Sequence, residues 1–156
     1  MASLDKLSYI FSSCLRNILW VWEIIWHKIS RMITLYGIPQ CDTVKKSRAW
    51  LDEHQLTYQF HDFKKQSVPE DALAQWIAAL GWERLVNKKG TTWRKLDLEE
   101  QTAVVDSATA TALMLQHASV IKRPVVVNTA AKAGNQTTVG YSPETWATWA
   151  AKPAKE

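Results

Sequence analysis

The chain is poor in cysteine, with only Cys14 and Cys41 among its 156 residues. Two thiols so far apart in sequence do not form a disulfide framework, and they point to a reducing, cytoplasmic setting. A domain of this length buries enough core to fold without a disulfide or metal staple. Metal-ligand spacing is missing as well. His27, His54, His61 and His117 stand apart from one another and from both cysteines, which leaves them ordinary surface or core roles and no bound metal. The net charge of +4 is modest, and Lys45-Lys46, Lys64-Lys65 and Lys88-Lys89 are isolated pairs rather than one basic block. Each pair reads as solvated surface. Without a recognition-helix pattern or base-stacking aromatics, no direct contact with nucleic acid is expected. There is no internal repeat and no low-complexity tract.

A membrane-spanning run is lacking too. The most apolar stretch, Leu15 to Trp26, is broken by Arg16 and Glu23, with six uncharged residues between them. A spanning helix needs about 18 or more. Trp26-His27-Lys28 is not the small-residue cleavage site of a signal peptide. Residues 1–31 nevertheless form a leader of their own composition, with three of the nine tryptophans. Three accounts of it stay open. Translation starting at Met32 would make it a start-site artefact. An interfacial helix would set its tryptophans at headgroup depth beside His27, Lys28 and Arg31, and only then would a membrane surface be a partner. A third account docks it on the domain or on a partner. Cys14 reads as a small apolar residue, with palmitoylation as the alternative. The chain thus divides into the leader, a domain at 32–150 and a polar tail at 151–156.

From Met32 onward the pattern resolves into elements. Ile33–Gly37 reads as a strand leading through Ile38-Pro39-Gln40 to Cys41 and a helix from Asp42 to about His54. Val44, Ala49, Trp50 and Leu51 are expected on its inner side and Lys45, Lys46, Arg48, Asp52 and Glu53 mostly outside. Tyr58–Phe63 alternates as a half-buried strand. Ser67 or Val68 is expected to cap the next helix, with Pro69 in its first turn, Leu73, Trp76, Ile77 and Leu80 inside, and a stop at Gly81. Residues 82–96 look irregular or partly helical, turning at Lys89-Gly90. Asp97-Leu98-Glu99-Glu100 has capping-box spacing, followed by short helices near 98–104 and 108–117. Val125–Asn128 and Thr137–Gly140 form a hairpin about a turn at Lys132–Asn135, and Ser142-Pro143-Glu144 opens a last helix through Trp146 and Trp149. The order is β-α-β, a block of helices, then β-β-α. A right-handed crossover makes the first two strands parallel, and the hairpin adds antiparallel partners. That is an α/β class: a thioredoxin-like mixed sheet with a helical insertion between its halves.

Chemistry concentrates at Cys41. A lone cysteine is ordinarily a buried, inert thiol, but this one ends a strand and heads a helix. Unpaired helix N–H groups and the positive end of the macrodipole favour the thiolate, the reactive form. Much later in the chain comes Lys122-Arg123-Pro124 before the run Val125-Val126-Val127. A guanidinium near a sulfur lowers its pKa and binds an oxyanion or carboxylate in two-pronged fashion. The alternative for Arg123 is a structural pair with a carboxylate such as Asp42.

These segments, Leu35-Tyr36-Gly37-Ile38-Pro39-Gln40-Cys41-Asp42-Thr43, Ile121–Val126 and Gly140-Tyr141-Ser142-Pro143-Glu144, carry a resemblance. From Met32 to about Trp149 the chain resembles the arsenate reductase-related (ArsC/Spx/MgsR) thioredoxin-fold family. That family spans single-cysteine reductases and Spx-type transcription regulators, and the chain is most similar to its single-cysteine YffB-like members. The resemblance implies Cys41 as nucleophile, Pro124 at the cis-proline place opposite it, and Arg123 facing the sulfur. Thr43 and the amides of Asp42–Val44 would cap the site, and Lys45 stands where arsenate reductases of the family tend to have arginine.

Departures from the family pattern bear on specificity. The second cysteine of Spx-like redox switches is here Val44, so no disulfide can form within that motif. Two further arginines of the arsenate reductases fall near Asn87 and near Tyr141-Ser142, with Arg84 and Arg94 as candidate replacements. Each lost charge-assisted contact weakens an oxyanion site by about 1.5–3 kcal/mol, so true arsenate reduction is the lesser expectation. The leading one is a thiol-dependent reductase without a bound cofactor. Its Cys41 attacks a disulfide or other small-molecule electrophile, and glutathione resolves the adduct as co-substrate, its carboxylates matching Arg123 and Lys45. The alternative is an Spx-like regulatory module contacting RNA polymerase.

Overall fold

The computed structural model describes residues 33–129 and 134–150. The leader, the polar tail and the first half of the turn expected at Lys132–Asn135 lie outside the described residues. Strand β1 (Ile33–Gly37) leads to helix α1 (Asp42–Glu53), strand β2 (Tyr58–Asp62) and the short helix α2 (Phe63–Gln66). Helices α3 (Glu70–Leu80), α4 (Trp82–Leu85), α5 (Thr91–Lys95), α6 (Leu98–Ala103) and α7 (Ser107–Gln116) follow. A 3-10 turn at Ala118–Val120 precedes strands β3 (Val125–Asn128) and β4 (Gln136–Val139), and α8 (Pro143–Ala150) ends the described fold. The sheet order is β2-β1-β3-β4. β1 pairs parallel with β2 and antiparallel with β3, and β3 pairs antiparallel with β4. This is the thioredoxin-like mixed sheet with a helical insertion that the element order predicts.

β3 divides the core. Successive strand residues point to opposite faces, so Val126 packs with Ile33, Leu35, Val44, Leu51 and Trp146 on the α1 and α8 side. Val125 and Val127 turn the other way, into the cluster of Leu73, Trp76, Leu85, Trp93, Met114 and Ile121. All four residues of β3 are buried, which explains a run of valines in place of alternation. Trp146 is fully buried, and its indole N–H donates to Thr138 Oγ1 at 2.9 Å, so its polar atom is satisfied inside the core.

Local details differ from the sequence expectations for physical reasons. On α1 the buried residues are Val44, Ser47 and Leu51, while Ala49 is exposed. Ser47 can occupy the core because its hydroxyl donates to the Thr43 carbonyl at 2.7 Å. Pro69 is the cap of α3 rather than a first-turn residue. β2 stops at Asp62, whose carboxylate accepts from the Lys64 amide at 2.9 Å and starts α2 at Phe63. Residues 82–95 hold two short helices, and the second strand of the hairpin lies one residue earlier than expected. The Asp97–Glu100 capping box is present, and a second one, Asp106 with Thr109, starts α7.

Leu35 has no exposed surface and sits between Phe60 of β2 and Val126 of β3 in register. Leu35→Ala should lower stability by about 2–5 kcal/mol through lost transfer energy and a residual cavity. Leu98→Ala, at a residue 76 % exposed, should change it by no more than about 0.5 kcal/mol. Urea unfolding with an unchanged m-value checks both.

Candidate active site

Antiparallel pairing builds the site. Tyr36, near the end of β1, faces Val125, the first residue of β3. The chain therefore leaves β1 toward Cys41 at the same end of the sheet where the Arg123-Pro124 segment comes in. α1 packs closely over that end: a side chain on Gly37 would meet Val44 Cγ2 at 2.8 Å, so glycine is required there. The Cys41 amide donates to the Ile38 carbonyl at 3.1 Å, and the Cys41 carbonyl accepts from Lys45 N–H at 3.0 Å. Cys41 is thus the extended N-cap of α1, with φ −73° and ψ 125°. Its thiol is free and only partly buried.

The surroundings favour the thiolate. Burial pushes the Cys41 thiol up, but the amides of Val44 and Thr43 and the hydrogen bond and charge of Arg123 outweigh it, and the net pKa is lowered. Arg123 is held from behind, with Nη1 donating to the Ser119 carbonyl at 2.9 Å. Its Nε is buried and finds no partner among the described residues. The Arg123–Pro124 peptide is cis. Pro124 is buried, and its carbonyl accepts from the Gly140 amide at 2.8 Å. Gly140 there has φ +83°, a conformation side chains rarely adopt.

Cys41, Thr43 and Arg123 therefore come together, with Pro124 next to Arg123 in the chain, whereas Lys45 stands aside. Its ammonium is exposed and lies 3.4 Å from the Asp42 carboxylate, and it is not among the groups acting on the sulfur. Asp42 accordingly is not the anchor of Arg123. Arg84 and Arg94 are exposed, and neither acts on Cys41. At the place of the other family arginine, Lys46 lies 4.2 Å above the Tyr141 ring. Cys14 lies outside the described residues. Among those described, no cluster of His, Cys, Asp or Glu could hold a metal ion, and no helix is long and apolar enough to cross a membrane. A shallow groove lined by Arg48, Asp52, Leu56, Thr57, Tyr58 and Phe60 sits where β2 begins, at the opposite end of the sheet.

Sequence reasoning missed what holds the arginine segment in place. Lys122 N–H donates to the Leu85 carbonyl at 2.7 Å and Asn87 N–H to the Val120 carbonyl at 2.8 Å, on either side of an antiparallel bridge between Val86 and Ile121. These are main-chain contacts between distant segments, and no residue type announces them.

Comparison with known proteins agrees with this geometry. The YFFB protein, a solved structure, is 44 % identical and superposes with a TM-score of 0.69, covering 77 % of this chain and 100 % of that one. An arsenate reductase (ArsC) related protein from Brucella melitensis is 38 % identical with a TM-score of 0.56, covering 76 % and 93 %. The global transcriptional regulator Spx of Streptococcus mutans is 25 % identical over 62 % of this chain and 71 % of its own. The ArsC family model matches residues 36–149, from the end of β1 through α8, and by that match the chain belongs to the ArsC family.

Proposed function

We propose that the protein is a thiol-dependent reductase that works in the cytoplasm, with Cys41 as its nucleophile. One observation carries the reading: the partly exposed Cys41 sulfur is faced by the Thr43 and Val44 amides and by the Arg123 guanidinium. The thiolate attacks one sulfur of a disulfide, forming a mixed disulfide and expelling the other sulfur as a thiolate. No second cysteine stands at Val44, so an external thiolate attacks the other sulfur of the mixed disulfide, expels Cys41 as its thiolate and leaves joined to that sulfur as a new disulfide. Each turn oxidises one external thiol to the disulfide level and reduces one substrate sulfur to a thiolate. Glutathione is the proposed donor, with a carboxylate docking on the half-buried Arg123 guanidinium. Lys45 offers a second, exposed cation for the other carboxylate once it leaves Asp42. Arsenate reduction is disfavoured because, among the described residues, Arg123 is the one cation acting at the sulfur.

The resemblance to Spx regulators favours a second reading, a binding module contacting RNA polymerase. Incubation with oxidised glutathione separates the two. The reductase should form a mixed disulfide at Cys41 that reduced glutathione reverses and that Cys41→Ser abolishes, as read by mass spectrometry. Failure to form the adduct, with polymerase retained in a pull-down, would establish the regulatory reading instead.

Alkylation kinetics test the activation of the thiol. In a Cys14→Ser background, the Cys41 rate should rise with pH to a plateau whose midpoint lies below the free-cysteine value of about 8.5. Arg123→Ala removes a cation that favours the thiolate, so its midpoint must move up. At pH 7 its rate should fall roughly fivefold, a hydrogen bond to a charged group being worth less at a part-exposed site than when buried. Above both midpoints each protein is fully thiolate, and the rates should converge. A wild-type midpoint at or above the free value would sink the reductase reading.

A further inference from the structure

The helical insertion hydrogen-bonds the segment before Arg123 through the backbone of Leu85–Asn87, and that strip has an unusual neighbour. Lys88 is exposed, yet its ammonium lies 5.5 Å from the Trp82 ring centre and 5.6 Å from that of Trp93. Trp82 opens α4 and Trp93 is a buried residue of α5. One cation on two indoles ties these short helices to the turn between them, a turn closed by the Gly90 amide on the Asn87 carbonyl at 2.9 Å. Neither helix is long enough to hold its own place, since each has only about one turn of internal hydrogen bonds.

We propose that Lys88, seated against Trp82 and Trp93, is a positioning residue for Arg123. The path is short and continuous. Lys88 holds the turn that ends the Leu85–Asn87 strip. The strip holds Val120–Lys122 by two hydrogen bonds of 2.7 and 2.8 Å about the Val86–Ile121 bridge. Arg123 follows directly, its guanidinium anchored on the Ser119 carbonyl of the adjoining turn. Slack in the strip therefore moves both the main chain that carries Arg123 and the carbonyl that aims it. Lys88 itself is not among the groups acting on Cys41, so its effect on the sulfur must pass through Arg123.

This inference rests on the reading of Cys41 and Arg123 given above, and the experiment separates the two. Cys41 alkylation is measured against pH in the full chain carrying Cys14→Ser, alone and with Lys88→Ala, Lys88→Arg, Arg123→Ala and the Lys88→Ala/Arg123→Ala pair. The other charges beside Cys41, Asp42 and Lys45, pair with each other and stay unchanged throughout. Lys88→Ala should lower the rate at pH 7 by about two- to fivefold, the scale of an exposed cation–π contact, and leave the high-pH plateau in place. Lys88→Arg, which stacks on indole as well, should restore the rate. In the Arg123→Ala background Lys88→Ala should do nothing further. A merely structural lysine would lower the melting temperature without moving the pH profile. An unchanged profile in Lys88→Ala, or a loss that persists without Arg123, overturns the proposal. If Arg123→Ala itself leaves the profile unchanged, the reading of Arg123 fails first and this inference goes with it.

Discussion

The antiparallel register of β1 on β3 is the constraint on which the site depends. Because Tyr36 faces Val125, the segment that leaves β1 and the segment that arrives at β3 share one end of the sheet. Cys41 comes from the first and Arg123 from the second. Had the two strands paired in parallel, those segments would lie at opposite ends, a strand length apart. The register is held strongly because β3 is buried on both faces. A slip by one residue would exchange Val126 for Val125 or Val127 between two cores of different shape. The close contact of Gly37 with Val44 then sets α1 down so that its first amides meet the sulfur.

The elements were largely legible in the sequence because they follow from local chemistry. The apolar run at 33–37, the helical spacing of Leu73, Trp76, Ile77 and Leu80, and the Asp97–Glu100 box are each readable from side chains alone. Failures came where a backbone group decided the outcome. Ser47 goes inside and Ala49 outside because the Thr43 carbonyl satisfies the serine hydroxyl, and a ranking by hydrophobicity ignores that. The resemblance implies that Arg123 faces Cys41, and in the structure Arg123 and the Thr43 amide do act on that sulfur. The partner of Arg123 was not foreseen. A main-chain carbonyl at Ser119 leaves no mark on the sequence, so the alternative offered for Arg123 was a carboxylate such as Asp42. The Asp42–Lys45 pair was not foreseen either, for a related reason. Three residues apart on a helix, Asp42 and Lys45 are neighbours, and a local pair forms before a long-range one.

The single arginine bears on the kind of chemistry the site favours. A tetrahedral oxyanion presents several charged oxygens and gains from cations on several sides. Here Arg123 and two amides act from the same vicinity as the nucleophile, while Lys45 is engaged by Asp42 and Lys46 rests on Tyr141. Such an arrangement stabilises one negative charge at the sulfur better than a dispersed charge beyond it. A thiolate that exchanges with a disulfide makes that limited demand, since the charge passes from sulfur to sulfur. On this electrostatic ground thiol exchange fits the residues better than oxyanion reduction does.

The division of labour within Arg123 carries that argument further. A guanidinium offers five donors in a fixed planar fork, and one of them is spent on the Ser119 carbonyl. That bond restricts a long side chain that would otherwise have to be ordered when substrate arrives, a cost already met in the folded protein. The buried Nε, left without a partner, is an unfavourable feature taken alone, because a desolvated donor forfeits its bond to water. It becomes less unfavourable once negative charge develops beside the guanidinium, as on the Cys41 sulfur. Removing the Ser119 anchor would free the arginine to satisfy Nε elsewhere and would cost the site its aim. An arginine tied at one nitrogen and unsatisfied at another is therefore better suited to holding an anion in one place than a fully satisfied or fully mobile one.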